Sequence, residues 1–227
     1  MRTTPREVYL IIKSSFNLSS VQKDVLIGTL LGDGGIRLKG RFARLHIKHS
    51  SNQLSLVKYK KKIFKNITTM RVRVFKQKVG DKDYNFAEFV TLTHPDFLEF
   101  YNLFYFRSKK IVPKNIKTLL TSTLSLAMWF MDDGSAEYAG ASLQTHSFTR
   151  PEVDLLRSAI KLNFRIETTK RLNKGKWIIY FPKASLPRLE KVIGKYILPE
   201  FKYKLIPYSI KNKPRRDCTP DPNLIGV

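Results

Sequence analysis

The chain has 227 residues, which is enough for one large domain or for two small ones that share a core. Its apolar fraction of 42% is that of an ordinary globular protein, whereas 42 Lys and Arg residues stand against 18 Asp and Glu, giving a formal net charge of +24. Both halves of the chain are basic, so the charge is not confined to a tail, and it favours nucleic acid as the partner over an acidic membrane surface.

The hydrophobic pattern of the first half predicts a unit of helices and paired strands, with Ser19 or Ser20 as the N-cap of the first helix. In chain order the predicted elements are a helix over 21–31, strands over 36–38 and 43–48, a helix over 52–67, strands over 70–78 and 85–93, and a helix over 94–105. In the third strand, Val72 and Val74 are expected to face one side and the neighbouring arginines the other.

The second half repeats this order. Its predicted elements are a helix over 124–133, a strand over 141–145, a helix over 150–162, strands over 165–172 and 176–181, and a helix over 186–197. Each unit is therefore roughly αββαββα, and the fold class is α+β. We expect a first repeat over 1–106, a linker over 107–121, a second repeat over 122–207, and a basic, extended tail over 208–227.

Three pairs of short motifs occur in the same order and at similar spacing in the two halves. LIGTLLGDG at 26–34 matches LAMWFMDDG at 126–134. A His-Ser pair follows each, at His49 and His146, and KIVP at Lys110 later matches KLIP at Lys204. Any one pair could arise by chance, but three in one order indicate a duplication with a pseudo-two-fold axis.

The two apolar helices each end in an aspartate followed by glycine, at Asp33 and Asp133. Helices that are apolar on all sides are buried, so we expect them to pack together as a central seam, where Gly28 and Gly32 allow close approach. The helix dipoles and mutual repulsion then disfavour the two adjacent carboxylates. A bound divalent cation relieves both effects, and oxygen ligands suit Mg²⁺. In a protein this basic, the acidic pair predicts metal-assisted attack on a phosphate.

The two motifs resemble the LAGLIDADG motifs of homing endonucleases. WFMDDG at 129–134, QTHSFT at 144–149 and the two lysine segments are especially similar to the single-chain, organellar-intron branch of that family, and the resemblance extends over 18–207. It implies two pseudo-symmetric repeats packed through two central LAGLIDADG helices, with antiparallel sheets forming a DNA-binding saddle. It also implies a monomer that cuts both strands of double-stranded DNA across the minor groove and leaves 3′ overhangs.

The resemblance implies that Asp33 and Asp133 coordinate metal with the scissile phosphates, assisted by the backbone carbonyls of Gly32 and Asp132. Two or three Mg²⁺ ions would bind together with DNA, and Mn²⁺ would substitute for them. One departure from the family pattern concerns Met128 and Asp132, which stand where small residues are expected, so the seam should be looser or asymmetric. We assign the metal-binding side chain to Asp133 because it aligns with Asp33.

Four further residues match catalytic positions of the family. Lys110 and Lys204 would polarise the attacking water or stabilise the developing phosphorane charge. Lys48 and Gln144 match strand positions that line the solvent pocket.

Basic residues on the predicted strands and their turns are the candidate DNA contacts, because a β-ribbon fits the major groove. They are Arg37, Arg41, Arg44, Arg71, Arg73, Lys76, Lys78, Lys170, Arg171, Lys174 and Lys176. A second set of lysines on the helix over 52–67 is expected to form a solvated or phosphate-facing side: Lys58, Lys60, Lys61, Lys62 and Lys65.

The four histidines, His46, His49, His94 and His146, show no metal-ligand spacing such as His-x₃-His, which argues against a zinc site or a His-based nuclease. His49 and His146 recur at equivalent places, and we expect structural or DNA-contacting roles for them at strand–helix junctions. Cys218 is the only cysteine, so an intramolecular disulfide is excluded.

The predicted function is a sequence-specific double-strand DNA endonuclease that acts at a long, non-palindromic site. Two alternatives would use the same scaffold: an RNA maturase that assists splicing of its host intron RNA, and a DNA-binding regulator that does not cleave. The retained aspartates and lysines favour the enzyme. No apolar run reaches the ~18 residues of a membrane span, so we expect no membrane partner. The single cysteine fits a reducing, intracellular compartment. The resemblance implies an origin in an intron or intein, and we expect the protein to be organelle-encoded.

Overall fold

The chain folds into two α+β units with the same order of elements, and the computed structural model describes residues 17–211. The first unit contains helix α1 (Ser20–Leu31), strands β1 (Gly35–Lys39) and β2 (Phe42–Ser50), helix α2 (Leu54–Ile63), strands β3 (Arg73–Val79) and β4 (Lys82–Val90), and helix α3 (Pro95–Phe104). The second unit contains helix α5 (Thr123–Asp133), strands β7 (Gly134–Ala136) and β8 (Gly140–Leu143), helix α6 (Arg150–Phe164), strands β9 (Thr169–Asn173) and β10 (Lys176–Pro182), and helix α7 (Leu186–Ile193).

Each unit contains one four-stranded antiparallel sheet. The strand orders are β1-β2-β4-β3 and β7-β8-β10-β9, so the two sheets share one topology. Buried residues pair across the inner strands: Ile47 lies opposite Phe89 in the first sheet, and Leu143 lies opposite Ile179 in the second. The shared topology confirms the predicted pair of αββαββα repeats.

Helices α1 and α5 pack against each other and are buried along most of their length. A Cβ atom at Gly28 would lie 2.1 Å from the backbone oxygen of Ser125, and one at Gly32 would lie 2.5 Å from Oδ2 of Asp132. The close approach at both glycines is therefore confirmed. Gly28 also faces Met128, so each glycine of the first motif accommodates the larger residue at the equivalent position of the second. The seam is asymmetric, as predicted, but it is tight.

The start of α1 is fixed by a capping box. The Ser19 hydroxyl accepts a hydrogen bond from the backbone N–H of Gln22 (3.2 Å), and the Gln22 side-chain oxygen accepts one from the Ser19 N–H (3.0 Å). The Gln22 amide also donates to the carbonyl of Ile63 (2.9 Å), at the end of α2. The cap therefore joins the central helix to the helix that covers the first sheet.

The segment predicted as a linker over 107–121 is part of the packed structure. It contains strand β6 (Lys109–Lys110), which pairs with β5 (Tyr105–Phe106), and helix α4 (Ile116–Leu119). Ile116 and Leu120 are fully buried. This packing holds Lys110 in a fixed place beside the first central helix.

Some sequence-based boundaries were wrong, for local reasons. The predicted strand over 165–172 begins only at Thr169, because Arg165 ends α6 in the left-handed conformation (φ 55°). The helix over 52–67 is divided into α2 and two short 3₁₀ turns. Val74 is 56% exposed, because β3 is the edge strand of its sheet, with few side chains packed on it.

The tail predicted as extended over 208–227 begins with a short helix, α8 (Tyr208–Lys211), whose first N–H donates to the carbonyl of Glu137 (3.0 Å). The rest of that prediction, with Cys218, lies outside the described residues. Within residues 17–211, no helix has the length and hydropathy required to cross a bilayer.

Candidate active site at the ends of the paired helices

The C-terminal ends of α1 and α5 meet at a polar cleft of about 210 Å³. Asp33 follows the end of α1, and Asp133 is the last residue of α5, so the two pseudo-equivalent carboxylates line one cleft. The lining residues are Leu31, Gly32, Asp33, Lys110, Asp133, Gln144, Thr145, His146, Ser147 and Phe148. Folding therefore brings together groups that are about a hundred residues apart in the sequence.

The two carboxylates differ in their electrostatic surroundings. Burial, with the negative charges of Asp33 and Asp132 nearby, raises the pKa of Asp133 to about 8. Burial also acts to raise the pKa of Asp33, but the adjacent His49 ring and the Lys60 ammonium outweigh it and lower that pKa. Asp33 is thus stabilised as an anion, whereas Asp133 is a carboxylate that lacks sufficient positive charge around it.

Lys110 and Lys204 occupy equivalent places at the two helix ends. The Lys110 ammonium donates to the carbonyls of Gly32 (2.7 Å) and Gly34 (2.9 Å). The Lys204 ammonium donates to the carbonyls of Met131 (2.5 Å) and Asp132 (3.2 Å). Positive charge at a helix C-terminus offsets the dipole, so each lysine stabilises the end that carries its aspartate.

Burial lowers the pKa of both lysines, and the surrounding carboxylates oppose that shift. Both lysines, which the repeat singled out, therefore lie close to Asp33, Asp132 and Asp133. Their ammonium groups bind the same carbonyls, of Gly32 and Asp132, that the sequence predicted as metal ligands.

A divalent cation fits the charge and chemistry of this cleft. Two carboxylates face it, and burial together with the nearby negative charges of Asp33 and Asp132 raises the pKa of Asp133, an effect that a bound cation would oppose. In the part of the chain that the structure describes, no three His, Cys, Asp or Glu side chains form a metal site by themselves. Oxygens from a bound phosphate would have to complete the coordination of such an ion, as Mg²⁺ commonly requires.

Asp132 is placed differently from its neighbour. Its side chain is fully buried and accepts hydrogen bonds from the Lys60 ammonium at 2.6 and 2.8 Å. Lys60 itself is fully buried, so its predicted place on a solvated or phosphate-facing side was wrong. Sequence reasoning missed this pair because α2 is rich in lysines and nothing local distinguishes Lys60 from the others. The one signal for this pair in the sequence was Asp132 itself, an acidic residue next to an apolar helix that was expected to be buried.

Gln144 and Lys48 are separated by the fold. Gln144 lines the cleft and donates to the Ser142 hydroxyl (3.1 Å). Lys48 lies on β2, where its ammonium donates to the Gln77 side chain (2.5 Å) and sits 4.0 Å from the centre of the Phe86 ring. Only the first of the two therefore reaches the residues around the aspartates.

Most of the predicted DNA contacts are exposed on the strands and their turns. The exposed members are Arg37, Arg41, Arg71, Arg73, Lys76, Lys78, Arg171, Lys174 and Lys176. Arg37 and Arg44 lie directly opposite each other on β1 and β2. Like charges in that arrangement repel, so an anion bound between them would stabilise this part of the sheet.

Lys170 differs from the other basic strand residues. It is only partly exposed, and its ammonium binds the Asp154 carboxylate on α6 at 2.6 and 2.8 Å. It therefore faces the helix-covered side of its sheet. Arg171, its neighbour in the strand, faces the opposite side and lies over the Tyr180 ring.

Comparison with known proteins places this chain among DNA endonucleases and their relatives. The model of the LAGLIDADG DNA endonuclease family matches residues 23–189. A probable intron-encoded endonuclease of Wickerhamomyces canadensis is 27% identical over 198 residues, which cover 83% of this chain and 85% of that protein. The cytochrome b mRNA maturase bI2 of Debaryomyces hansenii is 29% identical over 190 residues, covering 80% and 72%.

The solved structures show the same architecture. The homing endonuclease I-WcaI, bound to its DNA recognition sequence, matches with a TM-score of 0.83 at 25% identity, over 91% of this chain and 95% of that one. I-DmoI in complex with DNA and Mn matches with a TM-score of 0.53 at 15% identity, over 80% and 100%, which is a likeness of fold.

Proposed function

Because this chain belongs to the LAGLIDADG DNA endonuclease family, we propose that it is a homing endonuclease that cuts both strands of a long, non-palindromic DNA site with divalent metal, leaving 3′ overhangs. The observation that carries the proposal is the cleft at the helix ends, which Asp33 and Asp133 both line and where one lysine, partly or fully buried, supports each helix end. The two aspartates and two lysines are related by a pseudo-two-fold axis, as are the two DNA strands that must be cut.

Asp33 and Asp133 would hold the metal, and the bound Mg²⁺ would supply Lewis-acid stabilisation of the phosphate and an activated water. Lys110 and Lys204 hold the helix ends and provide fixed positive charge next to the scissile phosphates, where negative charge develops. Gln144 offers a side-chain amide at the cleft wall that can orient water. Mn²⁺ prefers similar ligands, so we expect it to replace Mg²⁺.

The two sheets would carry the DNA. Their basic residues are exposed on strands and turns of both units, and the opposed pair Arg37 and Arg44 gains stability when a phosphate lies between them. Because each sheet belongs to a different repeat with a different sequence, each would read a different half of the site. The target should therefore be long and lack a palindrome.

The second candidate is an RNA maturase, because the cytochrome b relatives carry that name. A maturase would need the basic surfaces but not the acidic cleft. Both aspartates and both supporting lysines are present here and lie in contact with the helix ends, which favours the nuclease. Several relatives are named as intron-encoded endonucleases, and others as cytochrome b mRNA maturases, so we propose an intron-encoded, organellar origin. Because the chain contains both repeats, we propose that it acts as a monomer.

The test is cleavage. Purified protein is incubated with a randomised library of long duplexes in Mg²⁺ or in EDTA, and the new ends are sequenced. We expect Mg²⁺-dependent double-strand cuts at one long motif with 3′ overhangs, and their loss in Asp33→Asn and in Asp133→Asn. Asp83→Asn, which changes an exposed carboxylate on β4, is the matched control. Specific binding without any cut would favour the maturase or a regulator.

A further inference from the structure

Three ionisable side chains meet beside the cleft with no solvent exposure. The side chains of Lys60, Asp132 and His49 are each 0% exposed. The Lys60 ammonium binds both oxygens of Asp132, and it lies 3.4 Å from Nε2 of His49. The same His49 nitrogen is 3.7 Å from Oδ1 of Asp132. Lys60 belongs to α2 and His49 to β2 of the first unit, whereas Asp132 belongs to the central helix of the second.

Buried charges are costly unless they are paired and hydrogen-bonded, so Lys60 and Asp132 must be retained together. Because Lys60 binds both of its oxygens, Asp132 is a counter-ion for this lysine. That leaves the neighbouring Asp133, at the cleft, as the metal-binding carboxylate of the second motif.

The group contacts Asp33 from two directions. The Asp132 carboxylate accepts the backbone N–H of Asp33 at 3.3 Å. His49 Nδ1 lies 3.4 Å from the Asp33 carboxylate and, among the described residues, has no hydrogen-bond partner. The main chain of Asp33 is thus hydrogen-bonded to Asp132, and its carboxylate lies against the buried His49 ring; neither of these two residues lines the cleft.

The internal repeat shows that this group occurs on one side only. When the two repeats are aligned, Asp132 corresponds to Gly32, His49 to His146 and Lys60 to Arg157. The spacing from His49 to Lys60 equals that from His146 to Arg157. Gly32 offers no carboxylate, and His146 is exposed.

Arg157, in the place equivalent to Lys60, has a different set of partners. Its guanidinium donates to the Asp154 carboxylate (3.2 Å) and to the carbonyl of Thr168 (2.5 Å), away from the cleft. Asp133 therefore lacks the support that Asp33 has.

We propose that Lys60, Asp132 and His49 form a positioning group that sets the geometry of Asp33 before metal and DNA bind, and that makes the two strand-cutting halves of the site unequal. The inference rests on the proposed endonuclease function. Gly32 is part of the device, since a side chain there would collide with Asp132. Removing the group should slow the strand whose cleavage depends on Asp33 more than the other strand.

The experiment uses the full chain and the duplex selected in the cleavage library, with each strand labelled differently at its 5′ end. The test variant is Lys60→Met/Asp132→Ala, which removes both charges together so that neither is left buried alone. Arg157→Met, at the equivalent position of the other unit, is the matched control. Thermal unfolding and binding to the duplex in EDTA verify that each variant is folded.

We expect the double variant to bind the duplex like the wild type, to cut one strand about tenfold more slowly relative to the other, and to require more Mg²⁺ for that strand. Arg157→Met should leave the ratio of the two strand rates unchanged. Equal slowing of both strands, or no change in either, would show that the group only supports the fold and would overturn the proposal.

His49→Gln supplies a second measurement that does not disturb the ion pair, in case the double variant does not fold. It should bias the same strand in the same direction, and an unbiased His49→Gln would also overturn the positioning role. A wild-type protein that bound the duplex and cut neither strand would instead overturn the endonuclease function, and with it this inference.

Discussion

Asp133 is a residue whose ionisation is strongly altered by the fold. Its pKa is raised to about 8, so the folded protein holds a proton that the unfolded chain releases near pH 4. The contribution of this group to stability is fully present below that lower value and is lost as the pH rises through 8. The metal-free protein therefore carries a destabilising charge at its active site in alkaline solution.

Asp133→Asn should consequently stabilise the metal-free protein, and more at pH 8 than at pH 5. One pKa unit corresponds to about 1.4 kcal/mol, so we expect a gain of at least about 1 kcal/mol at pH 8. Urea unfolding in EDTA at the two pH values measures it. Asp83→Asn, on the exposed hairpin, should show no such pH-dependent gain. A loss of stability in Asp133→Asn at pH 8 would contradict the conclusion that the ionised Asp133 carboxylate destabilises the metal-free fold.

The role of Lys110 in cleavage can be tested against its neighbour in the sequence, Lys109. Lys110→Met should reduce single-turnover cleavage about 100-fold or more while leaving binding in EDTA nearly unchanged, because fixed positive charge matters most where charge develops. The neighbouring Lys109 is exposed, and Lys109→Met should cut at the wild-type rate. If both variants cut equally well, Lys110 serves only the connection between the repeats.

At the scale of elements, the seam between α1 and α5 depends on glycine. A methyl group at Gly28 would meet the backbone oxygen of Ser125 at 2.1 Å, and a backbone atom cannot move aside as the end of a side chain can. Gly28→Ala should therefore cost about 2 kcal/mol or more of unfolding free energy, as overpacking does. Cleavage should fall as well, since separating the helices displaces both aspartates.

Gly194→Ala provides the comparison. Its backbone is helical (φ −54°, ψ −38°), and the nearest atom to a new Cβ is a Glu190 side-chain carbon at 3.6 Å. This change should cost nothing and can add up to about 1 kcal/mol. Urea unfolding of the two variants side by side measures the difference, and a Gly28→Ala protein as stable as the wild type would rule out a seam limited by backbone contact.

The elements that could be predicted from sequence are those whose signals are local. The α1 cap at Ser19, the apolar central helices and the duplicated motifs were visible in the sequence because capping, burial and repetition leave their marks within a few residues. The start of β9 could not be predicted, because the residue in the left-handed conformation that ends α6 is Arg165 and not the glycine that usually marks such a position. The position of Lys60 could not be predicted either, because its partner Asp132 lies in the other repeat.

At the scale of the whole molecule, the net charge of +24 favours an anionic partner, and both sheets carry exposed basic residues that we propose bind it. If roughly 8 phosphates are neutralised, affinity should fall about a thousandfold or more between 50 and 200 mM salt. A binding series in EDTA over that range measures the slope directly. A shallow slope would place most of the positive charge away from the nucleic acid.

The last prediction separates DNA-facing charge from structural charge within one strand. Arg171 and Lys170 are adjacent in β9, but Lys170 is tied to Asp154 on α6 whereas Arg171 lies on the opposite face. Arg171→Met should therefore weaken binding and reduce the salt slope by about one, the value for one phosphate contact. Lys170→Met should leave the slope unchanged and instead slightly lower the stability, because it removes one of the two cations, Lys170 and Arg157, that bind the partly exposed Asp154 carboxylate. The reverse result would mean that the DNA lies on the helix-covered side, and that the two sheets do not form its binding surface.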